Sequence, residues 1–204
     1  MTCAHCCFAC TGKGTFMNST VFHRVLEHAV SMGDMVTIGG GEPTLHPKCI
    51  EWVIKAAVAT VDISLDNDGP AVLIVTNGKK TDTAIKLAKL AHLGMIAAEV
   101  SQDPWHNAID TRVIGEFTRY SHSDSWDRSR KGYAGIRDVS RGVVAVGRAK
   151  ENDIMHRSGC ACETLFIAPN GDYYQCGCKK TKLGNILTST PVLNESEGTC
   201  ENEV

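Results

Sequence analysis

The stretch "MVTIGGGEP" (residues 35–43) decides how the middle of the chain is read. Met35, Val36 and Ile38 make a short apolar run around Thr37, and the run stops in three glycines. A short apolar run bounded by glycine reads as a buried strand that ends in a turn. On either side the period changes. Upstream, "STVFHRVLEHAVSMG" (residues 19–33) places Val21, Phe22, Val25, Leu26, Ala29 and Val30 along one helical stripe, with Ser19 as N-cap and Gly33 as stop. Downstream, "HPKCIEWVIKAAVATV" (residues 46–61) is helical again, with Pro47 suited to its first turn.

The alternation continues outward. "AVLIVTNG" (residues 71–78) is a strand that ends in the turn dipeptide Asn77-Gly78. "TDTAIKLAKLAHLG" (residues 81–94) is an amphipathic helix stopped by Gly94, and "MIAAEVSQD" (residues 95–103) is a third strand. "AIDTRVIGEFTRYS" (residues 108–121) reads as a helix. The order over residues 19–121 is therefore αβαβαβα, which predicts an α/β fold with helices packed on a parallel sheet. Ligands of parallel α/β folds sit at the C-terminal ends of strands. Here those ends carry "GGGEP", "TNG" and "SQD". Each of the three, taken alone, also fits ordinary strand-to-helix loop chemistry.

Beyond residue 121 the pattern weakens. "SHSDSWDRSRKGYAG" (residues 121–135) reads as a polar loop and "GVVAVGRAK" (residues 142–150) as a strand with a turn. "TLFIAPNGDYYQC" (residues 164–176) reads as two short strands joined at Asn170-Gly171. The tail from Glu195 is acidic and is expected to be loose.

At 204 residues the natural expectation is one domain with a small appendage, divided here into residues 1–150 and 151–204. A hydrophobic content of 43% suffices for a core, and a net charge of -2 gives no general attraction to nucleic acid or anionic lipid. The basic segment at residues 128–142 reads as a solvated loop, so neither a nucleic-acid nor a membrane partner is expected. No apolar run approaches the ~18 residues of a spanning helix. No basic-then-apolar segment opens the chain, so no secretory leader is expected. Ten cysteines in such a chain point to reduced thiols and metal ligands rather than to disulfides.

The cysteines are unevenly placed. Four fall in the opening "MTCAHCCFAC" (residues 1–10) and four, Cys160, Cys162, Cys176 and Cys178, near the other end. The opening allows two readings. Cys3-x-x-Cys6 and Cys7-x-x-Cys10 are two pairs, as in a zinc site. Cys3-x-x-x-Cys7-x-x-Cys10 is a triplet that leaves Cys6 over. Three thiolates on one loop can hold three irons of a [4Fe-4S] cube, with the fourth iron open to substrate or cofactor.

The triplet with Phe8 resembles the signature of radical S-adenosylmethionine (radical SAM) enzymes, in which an aromatic residue stands between the second and third cysteines. "GGGEP" is similar to that family's glycine-glycine-glutamate motif, and "TNG" and "VSQD" (residues 100–103) resemble later strand ends of its barrel. The order of cysteine loop, helix and three motif-bearing strands agrees with the family. Cys160, Gly171 and Cys176, with "GRA" (residues 147–149), "PNGD" (residues 169–172) and "LGNI" (residues 183–186), resemble the start of the SPASM or twitch extension. The resemblance implies a partial (β/α)6 TIM-like barrel with a small cysteine-rich C-terminal β-hairpin extension. The family has a barrel strand before its cysteine loop. Here the loop opens at residue 3: either the chain is started late, at an internal Met, or the barrel lacks its first strand, and a late start is the expectation.

What the resemblance implies for chemistry is specific. A [4Fe-4S] cluster on Cys3, Cys7 and Cys10 reductively cleaves S-adenosylmethionine to a 5'-deoxyadenosyl radical that abstracts hydrogen from a substrate. Phe8 lies beside the adenine, and Gly40 and Gly41 let backbone groups approach the methionine amino group. Glu42 places negative charge near that ammonium. Ser101 binds ribose or methionine carboxylate, Asp103 binds substrate, and Asn77 belongs to the same pocket or serves as a turn-former before Gly78. His106, at the end of "DPWH" (residues 103–106), is a candidate general base. Cys160, Cys162, Cys176 and Cys178 hold an auxiliary iron–sulfur cluster, with zinc as the alternative. A one-electron donor such as a flavodoxin or ferredoxin and a reducing cytoplasm follow. The substrate is expected to be a peptide or protein. The alternatives are radical SAM chemistry on a small molecule or nucleobase, and a non-enzymatic zinc-binding module.

Overall fold

The apolar runs form strands and the amphipathic stretches form helices over the middle of the chain. The order is α1 (Ser19–Met32), β1 (Val36–Ile38), a 3-10 turn (Pro43–Leu45), α2 (Cys49–Ala59), α3 (Val61–Asp66), β2 (Val72–Thr76), α4 (Thr81–His92), β3 (Ala97–Gln102) and α5 (Thr111–Thr118). The computed structural model describes residues 3, 4, 6, 10, 12–102, 104–105, 108–119, 133–138, 147–154, 164–179 and 181–192. They belong to two units. One comprises Ala29–Asp138, the other Met1–His28 together with Val139–Val204.

Ala29–Asp138 contains a four-stranded sheet in the order β1-β2-β3-β4, where β4 is Ala134–Asp138. All three pairings are parallel. Each crossover steps one strand in the same direction, and right-handed crossovers of that kind lay their helices on one face of the sheet. The contacts agree, since α4 touches both α2 and α5. Beneath the helices Val72, Ile74, Thr76, Ala98 and Val100 are buried. The alternate positions form the other face, where Leu73, Val75, Ala97 and Glu99 are half-buried.

Of the loop expected at residues 121–135, residues 121–132 lie outside the described residues, and Ala134 and Gly135 belong instead to strand β4. Only Ala134 of β4 is buried, and Ile136, Arg137 and Asp138 are exposed. The strand follows from its ladder with β3, which pairs Ala98 with Ala134 and Ser101 with Arg137. A strand fixed by pairing rather than by side-chain burial leaves no apolar alternation to read.

Helix boundaries differ from expectation for local reasons. Helix α1 is capped by Asn18, whose Oδ1 accepts the Val21 amide at 2.9 Å, while Ser19 is the first helical residue. The helix expected through residue 61 breaks at Thr60. There the hydroxyl bonds back to the Ala56 carbonyl at 3.0 Å, and α3 follows. Helix α5 starts at Thr111 rather than at residue 108, because the Asp110 side chain accepts the Arg112 amide at 2.9 Å and caps it. The Arg112 guanidinium on the same carboxylate holds its pKa down to about 2.

In the other unit, β5 (Phe166–Ile167) and β6 (Asp172–Tyr174) pair antiparallel around Asn170-Gly171. A third strand, β7 (Lys182–Asn185), extends the sheet to β5-β6-β7. Gly171 has φ +87°, and the Asn185 side-chain amide donates to the Asn170 carbonyl at 3.1 Å and to Asp172 at 2.9 Å. The core of this sheet joins it to the start of α1: Val21, Tyr173 and Ile186 are buried together, with Met17, Val25, Leu165, Ile167 and Leu183 packed around them. Of the strand expected at residues 142–150, residues 142–146 lie outside the described residues. Gly147 is a turn, and Arg148 opens a short helix, α6 (Arg148–Glu151). The acidic tail from Glu195 also lies outside them. Among the described residues no helix is long and apolar enough to cross a membrane.

Candidate functional site

At the C-terminal ends of the parallel strands, Glu42 is the organising residue. Its Oε1 accepts hydrogen bonds from the Thr44 amide at 3.1 Å, the Thr44 hydroxyl at 2.5 Å and the Thr76 hydroxyl at 2.6 Å. Its Oε2 accepts the Asn77 amide at 2.8 Å. The carboxylate thus caps the Pro43–Leu45 turn and locks the loop after β1 to the end of β2. Thr44, Thr76 and Asn77 are buried, so these donors would find no water in its place. Sequence reading missed Thr44 and Thr76. In the text Thr76 is only the last β-branched residue of a strand, and nothing there shows that its hydroxyl turns toward Glu42.

The glycines serve different ends. Gly40 has φ +109° with open space where a Cβ would stand, so backbone conformation alone requires glycine. Gly78 has φ +72° and is also sterically confined, for a Cβ there would lie 2.9 Å from Val100 Cγ2 and 3.0 Å from Ile109 Cγ2. Asn77 forms the turn before it, its Oδ1 accepting the Lys79 amide at 3.0 Å. The structure gives Asn77 this turn role and a second one, the amide bond to Glu42. Ser101 is buried one residue beyond the Thr76–Val100 pair, so it stands on β3 beside the Asn77 end of β2. Asp103 and His106 lie outside the described residues. Cys49, buried at the start of α2, has its thiol pushed up to about 11 by desolvation and by the nearby Glu42 charge. It is a packing residue and not a nucleophile at neutral pH.

The N-terminal cysteine loop belongs to the other unit. Cys3, Cys6 and Cys10 are half-buried thiols, while Cys7 and Phe8 lie outside the described residues. The loop turns between Cys3 and Cys6, where the Cys6 amide donates to the Cys3 carbonyl at 3.2 Å. The Cys6 sulfur then accepts the Cys10 amide at 3.4 Å. Helix α6 holds the loop from outside. The Arg148 amide donates to the Cys6 carbonyl at 3.1 Å, the Arg148 guanidinium Nη2 donates to the Cys10 carbonyl, and the Asn152 side chain donates to the Ala4 carbonyl at 3.0 Å.

In the second cysteine group the Sγ atoms of Cys176 and Cys178 approach to 2.7 Å. Cys176 is buried, and the chain turns here, the Lys179 amide donating to the Cys176 carbonyl at 3.2 Å. Cys160 and Cys162 lie outside the described residues. Among the described residues no three of His, Cys, Asp and Glu gather as a metal-ligand set.

The donor chemistry of both groups, thiolate sulfur, fits iron–sulfur clusters and zinc alike. One further observation bears on the N-terminal loop. Arg148 Nε is buried with no hydrogen-bond partner among the described residues. A cationic donor of that kind, on a side chain bonded to the Cys10 carbonyl, fits an anionic thiolate–iron group. Scanned against models of protein families and against curated proteins, the chain matches none of either.

Proposed function

We propose that the chain is a radical SAM enzyme of the reducing cytoplasm, built on a partial barrel. In this reading a cysteine-rich, twitch-like extension follows the barrel, a flavodoxin or ferredoxin supplies electrons, and a peptide or protein is the substrate. The observation that carries the reading is the set of strand ends. Three adjacent parallel strands, in sequential order, end in Gly40-Gly41-Glu42, in Asn77 and in Ser101. The same motifs occur in that order behind the cysteine loop in the family's sequences.

Cys3, Cys7 and Cys10 would hold the [4Fe-4S] cluster, and Cys160, Cys162, Cys176 and Cys178 an auxiliary one. When bound, the first cluster and S-adenosylmethionine supply one-electron reductive cleavage and hydrogen abstraction; that hard chemistry is the cofactors' own. The chain's residues bind and orient. Gly40 and Gly41 expose backbone to the methionine amino group, and Glu42, fixed by Thr44, Thr76 and Asn77, adds negative charge there without having to reorganise. Ser101 offers a hydroxyl to ribose or carboxylate at the end of β3. Phe8 would lie beside the adenine and Asp103 would face substrate.

The test is anaerobic reconstitution followed by addition of S-adenosylmethionine and dithionite. Brown protein that releases 5'-deoxyadenosine supports the reading. Colourless protein that holds zinc at the cysteines and releases no 5'-deoxyadenosine overturns it in favour of a zinc-binding module.

A further inference from the structure

We infer that Arg148 is a positioning residue for the N-terminal cysteine loop, holding it in its metal-binding conformation and setting the charge around it. The inference rests on the radical SAM reading for its purpose and on α6 for its geometry.

A short loop with four cysteines in eight residues has few apolar side chains with which to fix itself. Bonds within the loop include the Cys3–Cys6 turn and the Cys10 amide on the Cys6 sulfur. The carbonyls of Ala4, Cys6 and Cys10 are taken up, some 140 residues away, by the side chain of Asn152, the C-cap of α6, and by the Arg148 amide and guanidinium. Gly147, at φ +55°, turns the chain into α6 so that the first amide of the helix is spent on Cys6 rather than on water. One residue, Arg148, therefore grips the loop twice, through its backbone and through its side chain.

The side chain also brings a full positive charge to the peptide carbonyl of Cys10. Its Nε is buried and lacks a hydrogen-bond partner among the described residues. Leaving a charged donor so is costly unless an anionic neighbour compensates it. Thiolates gathered on iron become more negative on reduction, so a fixed cation on the Cys10 carbonyl favours the reduced state. Lysine would keep the charge but lose the planar fork; glutamine would keep a donor and lose the charge.

The experiment uses the 204-residue chain with Arg148→Gln and Arg148→Lys, and reads two quantities. The first is the alkylation rate of Cys3 and Cys10 in cluster-free protein, by mass spectrometry with iodoacetamide. Arg148→Gln is expected to react about fivefold faster at both sites, with Asn152→Ala changed in the same direction as an independent loosening of the loop. The second is the reduction potential of the reconstituted cluster whose electron paramagnetic resonance signal responds to S-adenosylmethionine. Arg148→Gln is expected to lower the equilibrium for reduction about tenfold, or about 59 mV for one electron, and Arg148→Lys to restore it. Unchanged alkylation in Arg148→Gln overturns the inference, as do equal potentials in the Gln and Lys variants. Wild-type chain that takes up no iron would overturn the radical SAM reading instead, while the alkylation arm would still decide whether Arg148 holds the loop.

Discussion

Glu42 and Asn77, 35 positions apart in the chain, are joined by a hydrogen bond of 2.8 Å from the Asn77 amide to Glu42 Oε2. With the bond from the Thr76 hydroxyl at 2.6 Å it ties the ends of two neighbouring parallel strands together. A residue expected to act on a cofactor thus has an architectural duty as well. Glu42→Ala removes the acceptor from two buried groups of β2 and its turn, each of which costs about 1–3 kcal/mol when orphaned. The expected outcome is a urea midpoint lowered by an amount equivalent to about 3 kcal/mol, in protein without any cofactor. A midpoint equal to that of wild type would show that the carboxylate contributes only to binding.

Two glycines separate backbone strain from space. At Gly78 an alanine would meet a left-handed φ of +72° and also the methyl groups of Val100 and Ile109. Gly78→Ala is expected to cost about 2–4 kcal/mol, from strain and overpacking together. Gly115, within α5, has nothing within 4 Å of a Cβ position and no unusual φ. Gly115→Ala is expected to raise stability by about 0.5–1 kcal/mol, through helix propensity. Thermal melts of the two variants should move in opposite directions. A shift of the same sign in both would contradict these backbone assignments.

The α/β alternation was legible over residues 19–121 because β1, β2 and β3 are short apolar runs and α1, α2 and α4 carry apolar stripes. Strand β4 was not legible. It buries only Ala134, and what fixes it is its ladder with β3, which no local pattern records. Caps were legible by residue type but not by position. Asn18 and Ser19 are both good N-caps, and only the geometry of the Val21 amide decides between them. At the strand ends the motif residues stood out by their chemistry. Their ties did not, since a threonine in a strand and a threonine on a carboxylate read the same. The same holds for Arg148, whose bonds to Cys6 and Cys10 reach some 140 residues back along the chain.

Cys49 should behave unlike the cysteines of the loop. Burial and the Glu42 charge raise its pKa from 9.0 to about 11, so at pH 8 about one molecule in a thousand carries the thiolate. Iodoacetamide at that pH should modify Cys10 in cluster-free native protein and leave Cys49 untouched until denaturant is added. The same shift makes folding depend on pH at the alkaline end. The unfolded thiol ionises near 9 and the folded one near 11. The contribution is therefore whole below about pH 9 and is lost as pH rises through about 11. Cys49→Ala should flatten that limb of the stability profile; an identical alkaline limb in the variant would assign the loss to other groups.

Cys6 decides between the two readings of the opening cysteines. Its sulfur accepts the Cys10 amide at 3.4 Å inside the loop, which gives it a local role that needs no metal. On the triplet reading, Cys3→Ala, Cys7→Ala and Cys10→Ala should each abolish the N-terminal cluster, with a loss of about four irons per chain. Cys6→Ala should keep that iron. It forfeits the weak bond from the Cys10 amide and loosens the loop, so it should lower stability by about 1 kcal/mol. Cys6→Ser, which keeps an acceptor at the same position, should recover most of that small loss. Iron analysis of the four alanine variants, prepared side by side, separates the readings. Were Cys6→Ala to lose as much metal as Cys7→Ala, the loop would hold its metal through two Cys-x-x-Cys pairs. The local bond between Cys6 and Cys10 would then belong to a ligand pair, not to a spare thiol.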